Sequence, residues 1–548
     1  MNRVTTNTFR TASEFGAEHA KTVMNHAMDP THPADGESPA VTTVAAIDVG
    51  SNSIRMVVAE VLPDGSVEPL ERLHRAVRLG QDAFRLGRLS SQSMRAGVAV
   101  LRDYRQVLDL YHVERIRAVG TSALREATNT DTFLDRVLMA SGIQLEVIAP
   151  SEESRLTVSA VRQAVGDALG INHNEALIVD VGGGGSMLTI LQEGQIITSQ
   201  SLRLGSIRLQ ELLLTSEDPP ERSAELLRQQ IINMLATSRG SLPLDNVESF
   251  IAVGGDARFA ARQIGEPTGS AHLAAVKREP FDRLVARCCR HTAEELSKQY
   301  GLPFAEAETL NPALLVYQIL LHRTGVDRMI VSNVSMRDGL LLDLAREATG
   351  QEDEAVLAGV IHSATSIAEK FRVDLDHGQT VAELAVRLFD ELKAEHGLGA
   401  RHRLLLRVAG LLHEIGSVVS NRAHHKHSYY LISNSEIFGL SREEIEIVAH
   451  VARYHRRSVP KPSHVDYLSL PRRSRVVVNK LAALLRMADA LARGHVREVT
   501  KLKFQRDGDE LLVYVPGEAD LLLEERAIAA KGDLFEDIYG VKVRLEEG

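Results

Sequence analysis

Two segments of this chain carry the same pattern, and that repetition restricts the fold more than any other feature. Val44–Val61 reads VAAIDVGSNSIRMVVAEV, and Ala176–Gly194 reads ALIVDVGGGGSMLTILQEG. Each is an apolar run, then Asp-Val-Gly, then small residues, then a second apolar run. That is the pattern of two paired strands joined by a tight turn. A glycine-rich turn between paired strands bares backbone N–H groups on its concave side, and such a nest holds phosphate oxygens. The acid at each strand end, Asp48 or Asp180, can hold a divalent cation against those oxygens. Two facing copies would grip a phosphate chain from both sides.

Other readings of the glycines fit less well. A dinucleotide fingerprint needs its glycines to open a helix, whereas Ile54–Val61 and Met187–Leu191 read as strand. A P-loop needs Gly-Lys-Ser/Thr, which neither turn has. An ordinary glycine hairpin explains either copy alone. The pair is followed by a third element, FIAVGGDARFAARQIG over Phe250–Gly265, which reads as strand, double glycine and helix. Strand-Asp-loop-strand twice, then strand-Gly-Gly-helix, resembles the order in sugar kinases, the actin family and the heat-shock chaperone ATPases.

Further strings sharpen the resemblance. They are AIDVGSNSIRMVV from Ala46, AVGTSALREATN from Ala118, IAPSEESRL from Ile148, LIVDVGGGG from Leu177, SLRLGSIRL from Ser201, IAVGGDAR from Ile251 and IVSNVSMRDGLL from Ile330. LLHEIG from Leu411, HHKHSYYLISNS from His424 and ARYHRR from Ala452 continue the series. In this order, over roughly residues 44–500, the chain resembles the exopolyphosphatase and guanosine pentaphosphate phosphohydrolase (Ppx/GppA) family. The resemblance implies two actin-like α/β domains with a ligand cleft between them, an all-α HD-like domain and a small C-terminal α+β module.

Composition agrees. At 548 residues, 44% apolar and 25% charged, the chain suits a globular protein of about three to four domains. The expected divisions are a disordered tail over residues 1–40, domains over 41–172 and 173–346, a helical domain over 347–496 and a module over 497–548. Hairpin and strand signals fill the first two, helical periods such as Arg442–His455 and Val476–Ala492 fill the third, and alternation returns in KLKFQ and ELLVYVP. Net charge is −10, so attraction of a polyanion falls to local basic clusters and metal. The two cysteines, Cys288 and Cys289, support no disulfide framework, and no apolar run nears the ~18 residues of a membrane span. These features lead to the expectation of a cytoplasmic protein with no nucleic-acid or membrane partner.

Candidate chemistry starts at Ser151-Glu152-Glu153. Acids in a helix's first turn offset its macrodipole, and Ser151 suits an N-cap, so a purely structural reading is available. The resemblance instead matches Glu153 to the family's catalytic glutamate, a general base for the water that attacks a terminal phosphoanhydride. It implies Mg²⁺ at Asp48 and Asp180, and phosphate contacts at Ser51, Asn52, Arg125, Gly183, Gly184, Gly205 and Arg337. It implies inorganic polyphosphate or guanosine pentaphosphate as substrate, and a homodimer.

Two positions depart from the family. Its second loop usually continues Gly-Gly-Gly-Ser-Thr-Glu, but Gly185, Ser186 and Met187 stand here, with Met187 in place of the acid. A thioether cannot hold Mg²⁺. Asp256 stands where threonine is usual. A weakly active or non-catalytic polyphosphate or alarmone-binding regulator is therefore the alternative to an exopolyphosphatase or a pentaphosphate 5′-phosphohydrolase.

The helical region is rich in histidine. His377, His413-Glu414 and Asp489 follow the order of a histidine-aspartate metal phosphohydrolase domain, with Glu414 for its usual Asp. His424, His425, His427, His450 and His455 lie between. Facing imidazoles and carboxylates bind transition metals. Arg422, Lys426, Arg453, Arg456, Arg457 and Lys461 could instead line a channel for a polyphosphate tail, or form a solvated basic surface.

Overall fold

The computed structural model describes residues 41–165, 174–213, 218–237, 243–270, 272–350, 354–456, 458–493, 502–516 and 521–547. The tail expected over residues 1–40 lies outside them. The first hairpin forms as read: strand β1 (Thr42–Val49) pairs antiparallel with β2 (Ser53–Val61), Asp48 facing Arg55 across the ladder. With β3 (Val67–Ala76), β4 (Arg115–Gly120) and β5 (Leu145–Val147) they make a sheet in the order β3-β2-β1-β4-β5. β1, β4 and β5 run parallel to one another.

The second hairpin, β6 (Glu175–Val181) and β7 (Ser186–Gln192), nucleates the same arrangement again. It is joined by β8 (Gln195–Leu202), β9 (Ser249–Val253), β10 (Glu266–Pro267), β11 (Leu273–Lys277) and β12 (Arg328–Ser332). The order is β10-β11-β12-β9-β6-β7-β8. Its β8-β7-β6-β9-β12 portion repeats the first sheet strand for strand, including the antiparallel second strand. These are two actin-like α/β units.

Each sheet borrows a helix from the other half. Val158, Val161 and Val165 of the Pro150–Val165 helix pack on Ile178 and Ile251 of the second sheet. Met336, Leu340 and Leu344 of the Met336–Thr349 helix pack on Val44, Ala46 and Val57 of the first. The two helices cross so closely that a Cβ on Gly339 would lie 2.1 Å from the Leu156 carbonyl oxygen. Beside the crossing, Glu152 accepts from Arg117 Nη2 and Arg155 Nε at 2.8 Å, and Asp343 accepts from Arg117 Nη1 at 2.6 Å. This buried network gives Glu152 a structural role. Ser151 is not an N-cap: the helix already begins at Pro150, and the Ala149 carbonyl accepts from the Glu152 and Glu153 amides.

From Glu354 to Leu491 every regular element described is helical. The expected periods appear as Leu375–Glu391, Ala400–Leu412, Arg442–Arg453 and Arg472–Leu491. A three-stranded sheet of β13 (Lys503–Asp507), β14 (Glu510–Val515) and β15 (Lys542–Glu547) follows, with helices Leu522–Lys531 and Asp533–Tyr539. Val513, Ile528 and Phe535 belong to the same hydrophobic core as Leu384, Leu412 and Leu485, so this C-terminal part is packed into the helical region. No helix among the described residues is long and apolar enough to cross a membrane.

Candidate functional site

The two hairpin turns face one another across a cleft of about 560 Å³. Asp48, Ser51 and Asn52 line it from the first turn, and Asp180, Gly183, Gly184 and Met187 from the second. Arg125, Glu153, Asp256 and Arg337 also line it. The turns approach closely: a Cβ on Gly183 would lie 3.1 Å from Ser51 Cβ, and one on Gly184 would strike Ser122 Oγ at 2.1 Å. Gly205 is not in the wall. It stands behind the second turn, where a Cβ would lie 2.2 Å from the Gly184 carbonyl carbon. There it lets the turn dock on the Ser206–Leu213 helix, whose Ser206 and Ile207 amides donate to the Gly182 and Gly183 carbonyls at 3.0 Å.

Side chains of the first turn are already engaged. The Ser51 and Ser122 hydroxyls lie 3.0 Å apart, and Asn52 Nδ2 donates to the Ala305 carbonyl at 3.1 Å. Asn52 thus ties the first turn to the other half of the molecule.

The acids of the cleft differ in their partners. Asp48 accepts from Arg337 Nη1 at 3.0 Å. Glu153 accepts from Arg125 Nη1, which also donates to the Ile148 carbonyl at 2.6 Å. Burial raises the Glu153 carboxyl above its ordinary range against the opposing pull of Arg125. Asp180 has no hydrogen bond or ion pair among the described residues. Its partner across the ladder is Met187, whose sulfur accepts from Ser199 Oγ at 3.6 Å. Burial, then the charge of Glu153, push Asp180 up to about 6. Burial and then Glu306 push Asp256 up to about 7.

An unpartnered carboxylate, destabilised by burial and by neighbouring acids, suits a divalent cation: the ion would supply the missing positive charge through the oxygen donors that Mg²⁺ prefers. Asp180 therefore fits such an ion, and Asp48, whose charge adds to the upward push on Asp180, lies beside it. Arg55 and Arg258 line the cleft without having been singled out in the sequence, and Tyr317 supports its wall from behind. Arg55 was readable, because the hairpin register sets it opposite Asp48. Arg258 carried a weaker hint, three residues after the double glycine. Tyr317, which accepts from the Val181 amide at 3.2 Å and donates to the Val253 carbonyl, had no local signal.

In the helical region, His377, His413 and Glu414 each bring a ligand atom within 4.8 Å of the others. Asp489 Oδ1 lies 3.9 Å from His377 Nε2. The His455 ring is 5.0 Å from that of His413, but its Nε2 lies 3.1 Å from His424 Nε2. Burial holds His413 and His455 below the usual imidazole range. The His427 side chain makes no hydrogen bond or ring contact among the described residues. Of the basic residues, Arg453 pairs with Asp466 at 3.3 Å and lies over the Tyr429 ring. Burial, then Arg456, with Lys426 and Arg453, holds His425 down to about 4, so these cations share one neighbourhood. Arg457 lies outside the described residues.

Known proteins bear on this geometry. The chain is 30% identical over 322 residues to exopolyphosphatase 2 of Mycobacterium tuberculosis, covering 56% of this chain and 99% of that protein. It is 27% identical over 496 residues to a guanosine-5′-triphosphate,3′-diphosphate pyrophosphatase of Vibrio vulnificus, covering 88% of this chain and 92% of that protein. Among solved structures, an exopolyphosphatase of Cytophaga hutchinsonii superposes with a TM-score of 0.51 at 22% identity, over 57% of this chain and 99% of that one, which supports the fold. Residues 57–348 match the Ppx/GppA phosphatase family and residues 361–528 match domain III of those phosphatases. This chain belongs to the Ppx/GppA phosphatase family.

Proposed function

We propose that the protein is an exopolyphosphatase, removing orthophosphate from the end of inorganic polyphosphate. One observation carries the reading. Glu153, a partly buried carboxylate tied to Arg125, faces the two bare-amide turns in a cleft that also holds Arg55, Arg258, Arg262 and Arg337. Among the described residues, the amides of Ser51, Asn52, Gly183 and Gly184 donate to no protein acceptor. They are available to phosphate oxygens, and the arginines offset the charge of a polyanion.

The chemistry follows from these positions. The terminal phosphoryl group sits between the turns, with Arg125 released from Glu153 onto its oxygens. A water oriented by Glu153 attacks the terminal phosphorus in line. Its O–P bond forms as the bridging P–O bond to the chain breaks. The water's proton passes to Glu153, and the shortened chain leaves with the electron pair. Mg²⁺ held by Asp48 and Asp180 would supply neutralisation of charge on the phosphoryl oxygens. Asp256 fills the acidic role left open at Met187. The helical region reads as an HD-like domain whose basic face guides the chain, and the protein as a cytoplasmic homodimer.

The Vibrio vulnificus relative, whose match extends through the helical region, favours a second reading, a guanosine pentaphosphate phosphohydrolase. Initial rates of orthophosphate release from long-chain polyphosphate and from guanosine pentaphosphate, at equal Mg²⁺, separate the two. Faster release from polyphosphate is expected; preference for the nucleotide transfers the assignment to the second reading.

A further inference from the structure

The glycine turn of the second hairpin has no side chains of its own to fix it, so its shape comes from what packs behind it. Three of its carbonyls are held in sequence. The Ser206 amide donates to the Gly182 carbonyl, and the Ile207 and Arg208 amides to the Gly183 carbonyl, each at 3.0 Å. The next carbonyl, Gly184, accepts from a side chain instead, Arg208 Nε at 2.5 Å. In a planar trans peptide the carbonyl and the following N–H point to opposite sides. Tying these three carbonyls back toward the Ser206–Leu213 helix therefore turns the amides of Gly183, Gly184 and Gly185 away from it. All three glycines line the cleft.

Arg208 does more than close this row of bonds. It is 3% exposed. Its Nη1 donates to Glu126 Oε2 at 2.9 Å and its Nη2 to Glu126 Oε1, a two-pronged pair. Its guanidinium carbon lies 4.1 Å from the centre of the Phe84 ring. Phe84 and Glu126 belong to the first half of the molecule, Arg208 and Gly184 to the second. One guanidinium thus joins the shape of the second turn to the closure of the two halves. Only arginine offers a carbonyl donor, a fork for a carboxylate and a flat face at once. A second crossing is built alike without that reach. Arg78 of the first half pairs with Glu308 of the second at 3.3 Å and lies over the Phe304 ring. Among the described residues its side chain makes no bond to the second turn.

We propose that Arg208 is a positioning residue for phosphoryl transfer. It aims the amides of the second turn at the terminal phosphoryl group, and it holds that aim only while the halves are closed on Glu126 and Phe84. The proposal rests on the cleft being where phosphate is released, whichever phosphate chain is cut. The amides act where negative charge builds on the phosphoryl oxygens in the transition state. Arg55, Arg258, Arg262 and Arg337 remain to hold the chain, so loss of the aim falls on kcat more than on KM.

The test compares Arg208→Lys with Arg78→Lys in the full-length protein, each checked for folding by circular dichroism and Tm. The substrate is whichever of long-chain polyphosphate and guanosine pentaphosphate the wild type cleaves faster. Arg208→Lys keeps the charge but loses Nε and the fork. It should lower kcat by about tenfold or more, short of the ~10²–10³-fold cost of removing such a donor outright, with KM within about threefold. Arg78→Lys loosens a cross-cleft pair alone and should leave kcat within about threefold. Glu126→Gln disturbs the same guanidinium from a partly exposed position, so it carries the reading if Arg208→Lys does not fold. There kcat should fall by at least about threefold at unchanged KM. A folded Arg208→Lys or Glu126→Gln protein with wild-type kcat, or equal losses in Arg208→Lys and Arg78→Lys, overturns the proposal and leaves the cleft assignment standing. A wild type that releases phosphate from neither substrate removes the cleft assignment and the proposal with it.

Discussion

The two hairpins begin alike and end differently. Both place an aspartate one residue before the end of a strand, followed by valine and glycine. Across the ladder, however, Asp48 faces Arg55 and Asp180 faces Met187. Asp48 is also held by Arg337 from the opposite half. The first hairpin's acid is therefore paired within the protein, whereas the second leaves a carboxylate whose burial the nearby Arg258 and Arg337 only partly offset. The same strand arrangement occurs twice, and the side chains on the returning strands, Arg55 and Met187, make the two copies differ. One turn's acid has a protein partner; the other's has none among the described residues. Glu153 sits between them, at the start of the helix that passes from one half to the other.

The largest expected effect is at that shared position. Glu153→Gln should keep the fold and polyphosphate binding while turnover falls by about 10²–10⁴-fold. Stopped assays of orthophosphate release alongside a binding isotherm check this, and near-normal turnover would leave Glu153 with only the helix-dipole role.

Matching the two aspartates sharpens the comparison further. Asp48→Asn removes the partner of Arg337 beside Arg55 and Arg258, so it should destabilise the metal-free protein by about 3–5 kcal/mol, as for a broken buried pair. Asp180→Asn should do the reverse. With its native value raised to about 6, against 3.8 for the free group, the folded state holds a proton that the unfolded state has released. Stability from this group is intact below about pH 4, is lost as pH rises through about 6, and is absent at pH 7. Asparagine cannot ionise, so the variant should gain on the order of 1 kcal/mol at pH 7 and nothing at pH 4. Thermal unfolding with chelator at both pH values tests the opposite signs. Equal losses in the two variants would erase the distinction between the hairpins. Mg²⁺ should also raise Tm in the wild type, and Asp180→Asn should abolish that rise.

How far this was legible can be judged from particular residues. The hairpins, the Gly-Gly turn and the place of Glu153 were readable because glycine turns, strand-end acids and helix starts are local signals. The asymmetry was half readable: Met187 stood out as a non-ligand, and Arg55 follows from the register. The Arg337–Asp48 pair joins residues 289 positions apart, and Asn52 bonds to Ala305 across 253. Such contacts depend on how the two halves close, which no periodicity encodes. Gly205 was read as a phosphate contact because it lies in a matching string. The structure gives it the second turn to support instead, a close approach of backbones that the string alone cannot tell from ligand binding.

A smaller effect concerns Met187. If Asp256 supplies the missing acid, Met187→Glu adds a like charge opposite Asp180. Activity at low Mg²⁺ should then be unchanged or fall a few-fold, while Asp256→Asn should abolish most of it. A rise with Met187→Glu would show that the second hairpin lacks a ligand that Asp256 does not replace.

The account rests on a working site in which the unbalanced second hairpin is completed by a cation. The most direct measurement is orthophosphate release from long-chain polyphosphate by the wild-type protein, titrated with Mg²⁺ from a fully chelated start. Saturable release that is absent without metal, and that shifts to higher Mg²⁺ in Asp180→Asn, is the predicted result. Polyphosphate binding with no release at any divalent-metal concentration would contradict it, and would make the protein a sensor of the polyanion instead of its hydrolase.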